Sequence, residues 1–417
     1  MWNSDSENQI INPVLFICAV FFPIMHNLIL INLESQFNKI YLLISMFLLL
    51  ISLIKVIKKK SLQFNKCIKV IIYIVVFITI QSIVTFFTAD NLHPLSYLVR
   101  FVFPISVFIF LSTIQKLTVN RFDVNKNTYV IILIIYIFIN ILCFYLEYSE
   151  NPIYIKYILG KYYEVSKGMR FGNIRFSGIF CWPNAFAYSS GSLYIMLDKF
   201  KTLRKLRFWL LPLIFLSGNR TVMIALLLLE FLTVISDKGK STIRRILVII
   251  LGVLLLVFTS KSYFYDLAIS INSEILAYSS DNYRISVLKQ SFEIFKEHWL
   301  FGIGLDRFSA LAVSIKNADY LVNNHLANLN IILATSDTFY TIICEVGTLG
   351  IVLWSLGIYR IFKLNKIIIG KFVLFILIVG YSDSNPLSNY YTIISYLIII
   401  ISVIKDSIKL SNVGESS

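Results

Sequence analysis

Long apolar runs broken by short charged turns set the pattern of this chain. Phe47–Ile57, Val70–Thr79, Val130–Leu142, Ile246–Phe258 and Tyr396–Ile404, with their flanks, approach the ~20 residues that cross a hydrocarbon core at 1.5 Å rise. The pattern predicts spans over Asn12–Ile31, Ile40–Ile57, Val70–Thr88, Leu98–Ile114, Thr128–Leu146 and Phe176–Leu197. It predicts further spans over Phe208–Leu216, Thr221–Ile235, Ile246–Thr259, Thr338–Trp354, Ile367–Gly380 and Tyr391–Ile404. The expected fold class is therefore all-α: a polytopic membrane protein of about 12 transmembrane helices forming one integral membrane domain over 1–417.

Two polar stretches interrupt the pattern. Glu147–Arg175 reads as a first large outer loop, in which Lys156, Lys161, Lys167, Arg170 and Arg175 face Glu147, Glu150 and Glu164. Ser260–Ser336, between the ninth and tenth spans, is the second, and it is long enough to fold over a substrate. Inside it Ile285, Leu288, Phe292, Phe295 and Trp299 recur at spacings of three and four. That stripe predicts an amphipathic helix on the bilayer surface or under a lid. Gly302 and Gly304 then read as the glycines that end it.

Composition sharpens this picture. The chain is 57% hydrophobic and 15% charged, with a mean hydropathy of +0.76. A soluble domain carries about 25% charged residues, so that class is excluded. A net charge of +15 raises the question of nucleic acid, and position answers it. With both termini cytoplasmic, the clusters Lys55–Lys69, Lys116–Lys126, Lys199–Arg207, Lys238–Arg245, Arg360–Lys371 and Lys405–Lys409 all fall inside. They hold 24 of the 38 basic residues, so topology accounts for most of the charge and no nucleic-acid partner is expected. The N-terminus, polar and acidic, does not resemble a cleaved signal peptide, and the first span is expected to stay. Cys18, Cys67, Cys143, Cys181 and Cys344 lack metal-ligand spacing, as do His298 and His325. No metal or other cofactor is expected.

A few polar residues remain within or beside apolar runs. Pro183 and Asn184 sit low in the sixth span, where they cost helix stability unless neighbours satisfy the freed backbone groups. Arg220 lies in the tight turn Ser217–Arg220 after a span of only about ten residues, and charge at membrane depth points to function. Glu345 lies well inside the tenth span and must be paired, protonated or beside a wet cavity. Asp337 heads that span as an N-cap or as a site carboxylate. Arg284 heads the amphipathic helix.

Four stretches together carry a resemblance. They are Arg175-Phe-Ser-Gly-Ile-Phe-Cys-Trp-Pro-Asn184, Ser217-Gly-Asn-Arg-Thr221, Arg284 with His298-Trp-Leu-Phe-Gly-Ile-Gly304, and Ser336-Asp337 with Gly347-Thr-Leu-Gly350. In order and topological side they resemble the superfamily of Wzy-type polysaccharide repeat-unit polymerases and O-antigen ligases, over roughly Arg170 to Trp354. The resemblance implies a GT-C-like helical membrane fold and an undecaprenyl-diphosphate-linked oligosaccharide substrate, with no metal or nucleotide. It implies diphosphate binding by Arg175, Arg220 and Arg284, whose planar forks suit phosphate oxygens. Arg170, Asn184 and Ser336 would line the same pocket. Ligases of this superfamily carry a His-Asn or similar dipeptide before the Gly-x-x-Gly pair, where this chain has Ser336-Asp337. That departure favours the polymerase and leaves Asp337, with Glu345 second, as the proton acceptor.

The expected activity is polymerisation of lipid-linked repeat units into capsular or O-antigen polysaccharide at the outer face of a bacterial cytoplasmic membrane. A chain-length regulator and a flippase of the same pathway are the expected companions. Two alternatives stand beside it: ligase-like transfer of glycan to another acceptor, and a non-enzymatic lipid-linked oligosaccharide flippase. Transporters often show internal repeats, and none is apparent here.

Overall fold

A computed structural model describes residues 17, 20, 40, 43–51, 54, 76, 80, 106, 126–159, 176–180, 183–198, 203–236, 291–304, 338–364 and 366–382. Among these the chain is helical and contains no strand, as the apolar pattern demands. One helix, α1 (Lys126–Tyr148), holds a segment long and apolar enough to cross a membrane, Asn127–Tyr148. Its buried stripe is Leu133, Tyr136, Asn140, Cys143 and Glu147, at helical spacings of three and four. Ile131, Ile134, Ile135, Phe138, Ile141, Leu142 and Tyr145 cover the opposite face and are exposed. An apolar helix whose polar residues point inward is the inverse of a soluble one, and it suits a lipid surround.

Glu147 thus belongs to the last turn of α1 and is fully buried, where the sequence placed it at the head of a loop. After it Glu150 adopts a left-handed φ of 50°, and Asn151 caps the short helix α2 (Pro152–Tyr154), which continues as a π-helical turn over Ile155–Leu159. The sixth predicted span also starts differently. Residues 176–180 form a non-helical turn, and helix α3 begins at Pro183 and runs to Leu197. Pro183 therefore occupies the first helical position, where its missing N–H costs nothing.

Helix α3 is buried on nearly every side and forms the centre of the described bundle. Its run Ser189-Ser-Gly-Ser192 lets neighbours approach closely, as small residues do between membrane helices. A Cβ on Gly191 would lie 2.8 Å from the ring of Phe375, so this glycine marks the crossing with α7 (Lys366–Ser382). Between them in sequence come the 3-10 turn Leu206–Trp209, α4 (Leu210–Leu216) and α5 (Arg220–Ser236). Together Leu206–Leu216 extend roughly 17 Å at ~1.5 Å per residue, well short of a ~30 Å core. Helix α6 (Thr338–Leu364) precedes α7 with a single residue between them. Helix α7 packs against α3, α5 and α6, and so ties the parts together.

At the end where α3 finishes and α4 begins, a buried charge cluster forms. Arg207, only 1% exposed, places Nη1 3.0 Å from Asp198 and Nη2 2.8 Å from Glu230. Its guanidinium also stacks over Tyr194 and Phe208, at 4.5 and 4.9 Å from the ring centroids. Tyr194 donates to Glu230 at 3.0 Å, and Lys371 donates to Asp198. Burial works to raise the Asp198 pKa, and the charges of Arg207, Lys371 and Arg204 outweigh it and hold the carboxyl below its ordinary value. A lowered carboxyl pKa stabilises the fold above about pH 4 and stops doing so as pH falls through the folded-state value.

From sequence, Arg207 counted simply as one of the loop bases; its burial is a correction that loop counting cannot reach. Removing one partner of a buried ion pair costs about 3–5 kcal/mol, because the remaining charge is left uncompensated. Arg207→Leu is therefore expected to lower the detergent-solubilised melting temperature sharply, whereas Lys205→Ala, at an exposed neighbour, should leave it unchanged. Equal melting temperatures for the two variants would refute a stabilising role for the cluster.

Candidate functional site

The motif residues assemble into two pieces of local structure. The first is built around the turn 176–180. The Phe176 amide donates to the Leu216 carbonyl at 3.2 Å, which joins this turn to the C-terminal end of α4. The Ser177 amide donates to Glu147 Oε2 at 3.1 Å, and the Ile179 amide to Asn140 Oδ1 at 3.3 Å. From α2 the Tyr154 hydroxyl donates to the Gly178 carbonyl. Gly178 has φ +60°, and a Cβ there would lie 2.4 Å from Asn140 Oδ1, so only glycine fits. Phe176 packs edge-on to Phe144 and Phe186, with centroids 5.6 and 4.8 Å away, and pins the turn into the core.

The turn after α4 is equally ordered. Asn219 caps α5 through Oδ1, which accepts from the Val222 amide at 3.0 Å. Its Nδ2 donates to Asn184 Oδ1 at 3.0 Å, so the cap of α5 is linked to the first turn of α3. The predicted pocket residue Asn184 therefore sits against the Ser217–Arg220 turn. Arg220 is the first residue of α5, while its side chain lies outside the described residues. Arg175 lies outside them too, and it directly precedes Phe176. The segments that carry two of the three predicted arginines thus meet at one hydrogen bond.

The second piece joins the 298–304 motif to α6. Gly347 breaks α6 with φ 59° and ψ −171°. In an unbroken helix the Thr348 and Leu349 amides would bond to the Cys344 and Glu345 carbonyls. Here both rungs are opened and refilled by the loop. The Thr348 and Leu349 amides donate to the Trp299 and Leu300 carbonyls at 2.8 and 3.0 Å. The Cys344 and Glu345 carbonyls accept from the Ile303 and Gly304 amides at 2.9 and 3.0 Å. Two helical bonds are exchanged for four across the joint, and Thr348 Oγ1 adds a fifth to Trp299 O at 2.8 Å.

Glycines make the joint possible. A Cβ on Gly302 would lie 2.4 Å from the Glu345 carbonyl oxygen, and one on Gly347 2.5 Å from the Gly302 amide nitrogen. Gly302, Gly304 and Gly347 all have positive φ. The sequence read Gly302 and Gly304 as a helix end, and missed that they lock into a second helix. The one available signal was the pairing of two glycine motifs with a carboxylate between them in a span.

Glu345 is buried immediately before this break. Residues 291–297 are helical, but Ser291 and Ile294 form the buried side while Phe292, Trp299, Leu300 and Phe301 are exposed. Of the predicted stripe Phe292 and Trp299 are thus exposed and Phe295 is half-buried, while Ile285 and Leu288 lie outside the described residues. Arg170, Arg284, Ser336 and Asp337 lie outside the described residues. Among the described residues no group of three or more His, Cys, Asp or Glu could hold a metal ion.

Residues 208–355 match the O-antigen ligase family. The match runs from the 3-10 turn through the Ser217–Arg220 turn and Arg284 past the α6 break, so it takes in the joint between 298–304 and α6. It supports the Wzy and O-antigen ligase superfamily that the four motifs resemble. The Phe176 turn lies before the matched region and is joined to it by the Leu216 carbonyl. No curated protein matches the chain.

Proposed function

We propose that this protein polymerises undecaprenyl-diphosphate-linked oligosaccharide repeat units at the outer face of a bacterial cytoplasmic membrane. The family match over 208–355 carries the reading, since it supports a glycosyl-transfer enzyme of the O-antigen ligase and polymerase type. Ser336, standing where ligases of this superfamily have histidine, favours polymerase over ligase.

In this reading the chain crosses the membrane about 12 times with both termini inside. The turns at Phe176 and Ser217 and the α6 break then face outward, and the Arg207 cluster lies toward the cytoplasm. The growing chain on undecaprenyl diphosphate is the donor, and a hydroxyl on the terminal sugar of a fresh repeat is the acceptor. That hydroxyl oxygen attacks the anomeric carbon of the donor's reducing-end sugar. The bond from that carbon to the diphosphate oxygen breaks, and undecaprenyl diphosphate leaves with the bonding pair. Arg175, Arg220 and Arg284 hold the diphosphate and stabilise the charge that develops on it. The hydroxyl proton passes to Asp337, with Glu345 as the second candidate.

The location and size of the intermediate in a deletion strain test the reading. Single lipid-linked repeats at the outer face of the membrane are the expected result. Single repeats on the inner face would indicate a flippase instead, and full-length lipid-linked polymer without transfer would indicate a ligase.

A further inference from the structure

Among the described residues the buried Glu147 side chain holds a backbone turn. Glu147 lies two helical turns after Asn140 on the same stripe of α1, and both side chains reach the turn 176–180. A carboxylate at the end of an apolar helix, with no exposed surface, is expensive to keep there. The core alone does not require it, since the aromatic contacts of Phe176 already fill the space with apolar groups. What the carboxylate adds is a fixed acceptor for the Ser177 amide, two residues after Arg175.

The rest of the turn is oriented by the same logic. Its amides at Phe176, Ser177 and Ile179 are taken by Leu216 O, Glu147 Oε2 and Asn140 Oδ1, and the Gly178 carbonyl by Tyr154. Four partners from α4, α1 and α2 leave the turn little freedom. Consecutive Cα atoms are ~3.8 Å apart, so fixing Phe176 confines where Arg175 can begin. The anchoring bond at Leu216 lies four residues before Arg220.

We propose that Glu147 is a positioning residue for donor binding: by holding the Ser177 amide it fixes the turn that directly follows Arg175 in sequence and bonds to Leu216, four residues before Arg220. The inference rests on the polymerase reading, which supplies the lipid diphosphate that Arg175 meets. Glu147 itself touches no reacting atom, and it acts through the turn.

Two variants of similar size separate the acceptor from mere bulk. Glu147→Gln keeps an oxygen that accepts from Ser177, whereas Glu147→Met keeps the volume and loses the acceptor. Both are compared with wild type in turnover of a synthetic undecaprenyl-diphosphate-linked repeat by purified protein, with KM and kcat determined separately. Arg175 holds the diphosphate in the ground state and meets more charge on it in the transition state, so loss of donor positioning raises KM and lowers kcat as well. Glu147→Met is expected to raise KM about tenfold or more, the scale of one lost hydrogen bond to a charged group, and to lower kcat too. Glu147→Gln is expected to restore KM to within about threefold of wild type.

A purely structural role would lower the amount of active enzyme, hence apparent kcat, at unchanged KM, and that result would overturn the inference. So would equal KM values for the Gln and Met variants. If Glu147→Met does not purify, the Gln variant decides alone: wild-type KM upholds the acceptor role, and a tenfold rise overturns it. A wild-type protein that turns over normally beside an unaffected Met variant would sink the inference and leave the polymerase standing. A wild-type protein that neither binds nor turns over the donor would remove both.

Discussion

Gly302→Ala should abolish polymer formation and deplete folded protein, and Gly347→Ala should do the same from the other side of the joint. An added methyl at Gly302 lands 2.4 Å from the Glu345 carbonyl, and at Gly347 it lands 2.5 Å from the Gly302 amide nitrogen. Neither obstacle is the far end of a flexible side chain; both are backbone atoms fixed by the four bonds between 299–304 and 344–349. A non-glycine residue held at such φ costs about 1–3 kcal/mol, and forcing extra volume into a packed site costs about 1–3 kcal/mol more. The alanine variants must therefore open the joint. Opening it strips the Cys344 and Glu345 carbonyls and the Thr348 and Leu349 amides of their loop partners, and α6 must refold around Gly347 to pair them again.

Thr348→Val gives the graded comparison. It removes only the hydroxyl bond to Trp299, worth about 0.5–1.5 kcal/mol, and keeps the backbone exchange. Its polymer length should be close to wild type. Melting temperature in detergent and polymer length in cells measure both effects. Normal polymer from Gly302→Ala would mean that the joint forms in some other way than described.

Asp337→Asn should abolish long polymer while protein level is unchanged. The residue directly precedes α6 in sequence, and two roles compete for it: capping the helix and accepting the acceptor's proton. Asparagine caps a helix about as well as aspartate, so the substitution leaves the cap in place. An amide cannot take up the proton, and loss of a general base costs about 10²–10⁴ in rate. A lost cap would instead cost only about 1 kcal/mol of stability. The two roles therefore separate in a single variant, read as polymer length against membrane protein level. Near-normal chain length would move the proton to Glu345, or show that the diphosphate leaving group is activated enough to need no protein base.

Several elements were legible because one force sets them. Apolar runs predicted Thr128–Leu146, Phe208–Leu216, Thr221–Ile235 and Ile367–Gly380, and helices occupy Lys126–Tyr148, Leu206–Leu216, Arg220–Ser236 and Lys366–Ser382. Burial of apolar surface is a property of each run alone, so periodicity finds it. The turn Ser217–Arg220 was legible for the same reason, as the gap between two such runs.

What escaped was every feature made by two distant segments together. The break at Gly347 depends on carbonyls and amides 45 or so positions away, and a glycine inside an apolar run gives no sign of which segment will meet it. Arg207 reads as one base in a basic turn until Asp198, just past α3, and Glu230 of α5 pair with it and Lys371 of α7 pairs in turn with Asp198. Glu147 reads as the start of a loop until the Ser177 amide is found bonded to it. Arg220 was singled out by its cost in an apolar setting, and Arg175 and Arg284 by the family resemblance. Glu147, which holds the Ser177 amide, was not.

The most direct measurement is turnover of a synthetic undecaprenyl-diphosphate-linked repeat unit by the purified, reconstituted protein in the presence of a metal chelator. The predicted result is a ladder of products differing by one repeat, with one undecaprenyl diphosphate released for each linkage made. A substrate that stays a single repeat, or that is passed on only when lipid A core or another non-repeat acceptor is added, would contradict the polymerase.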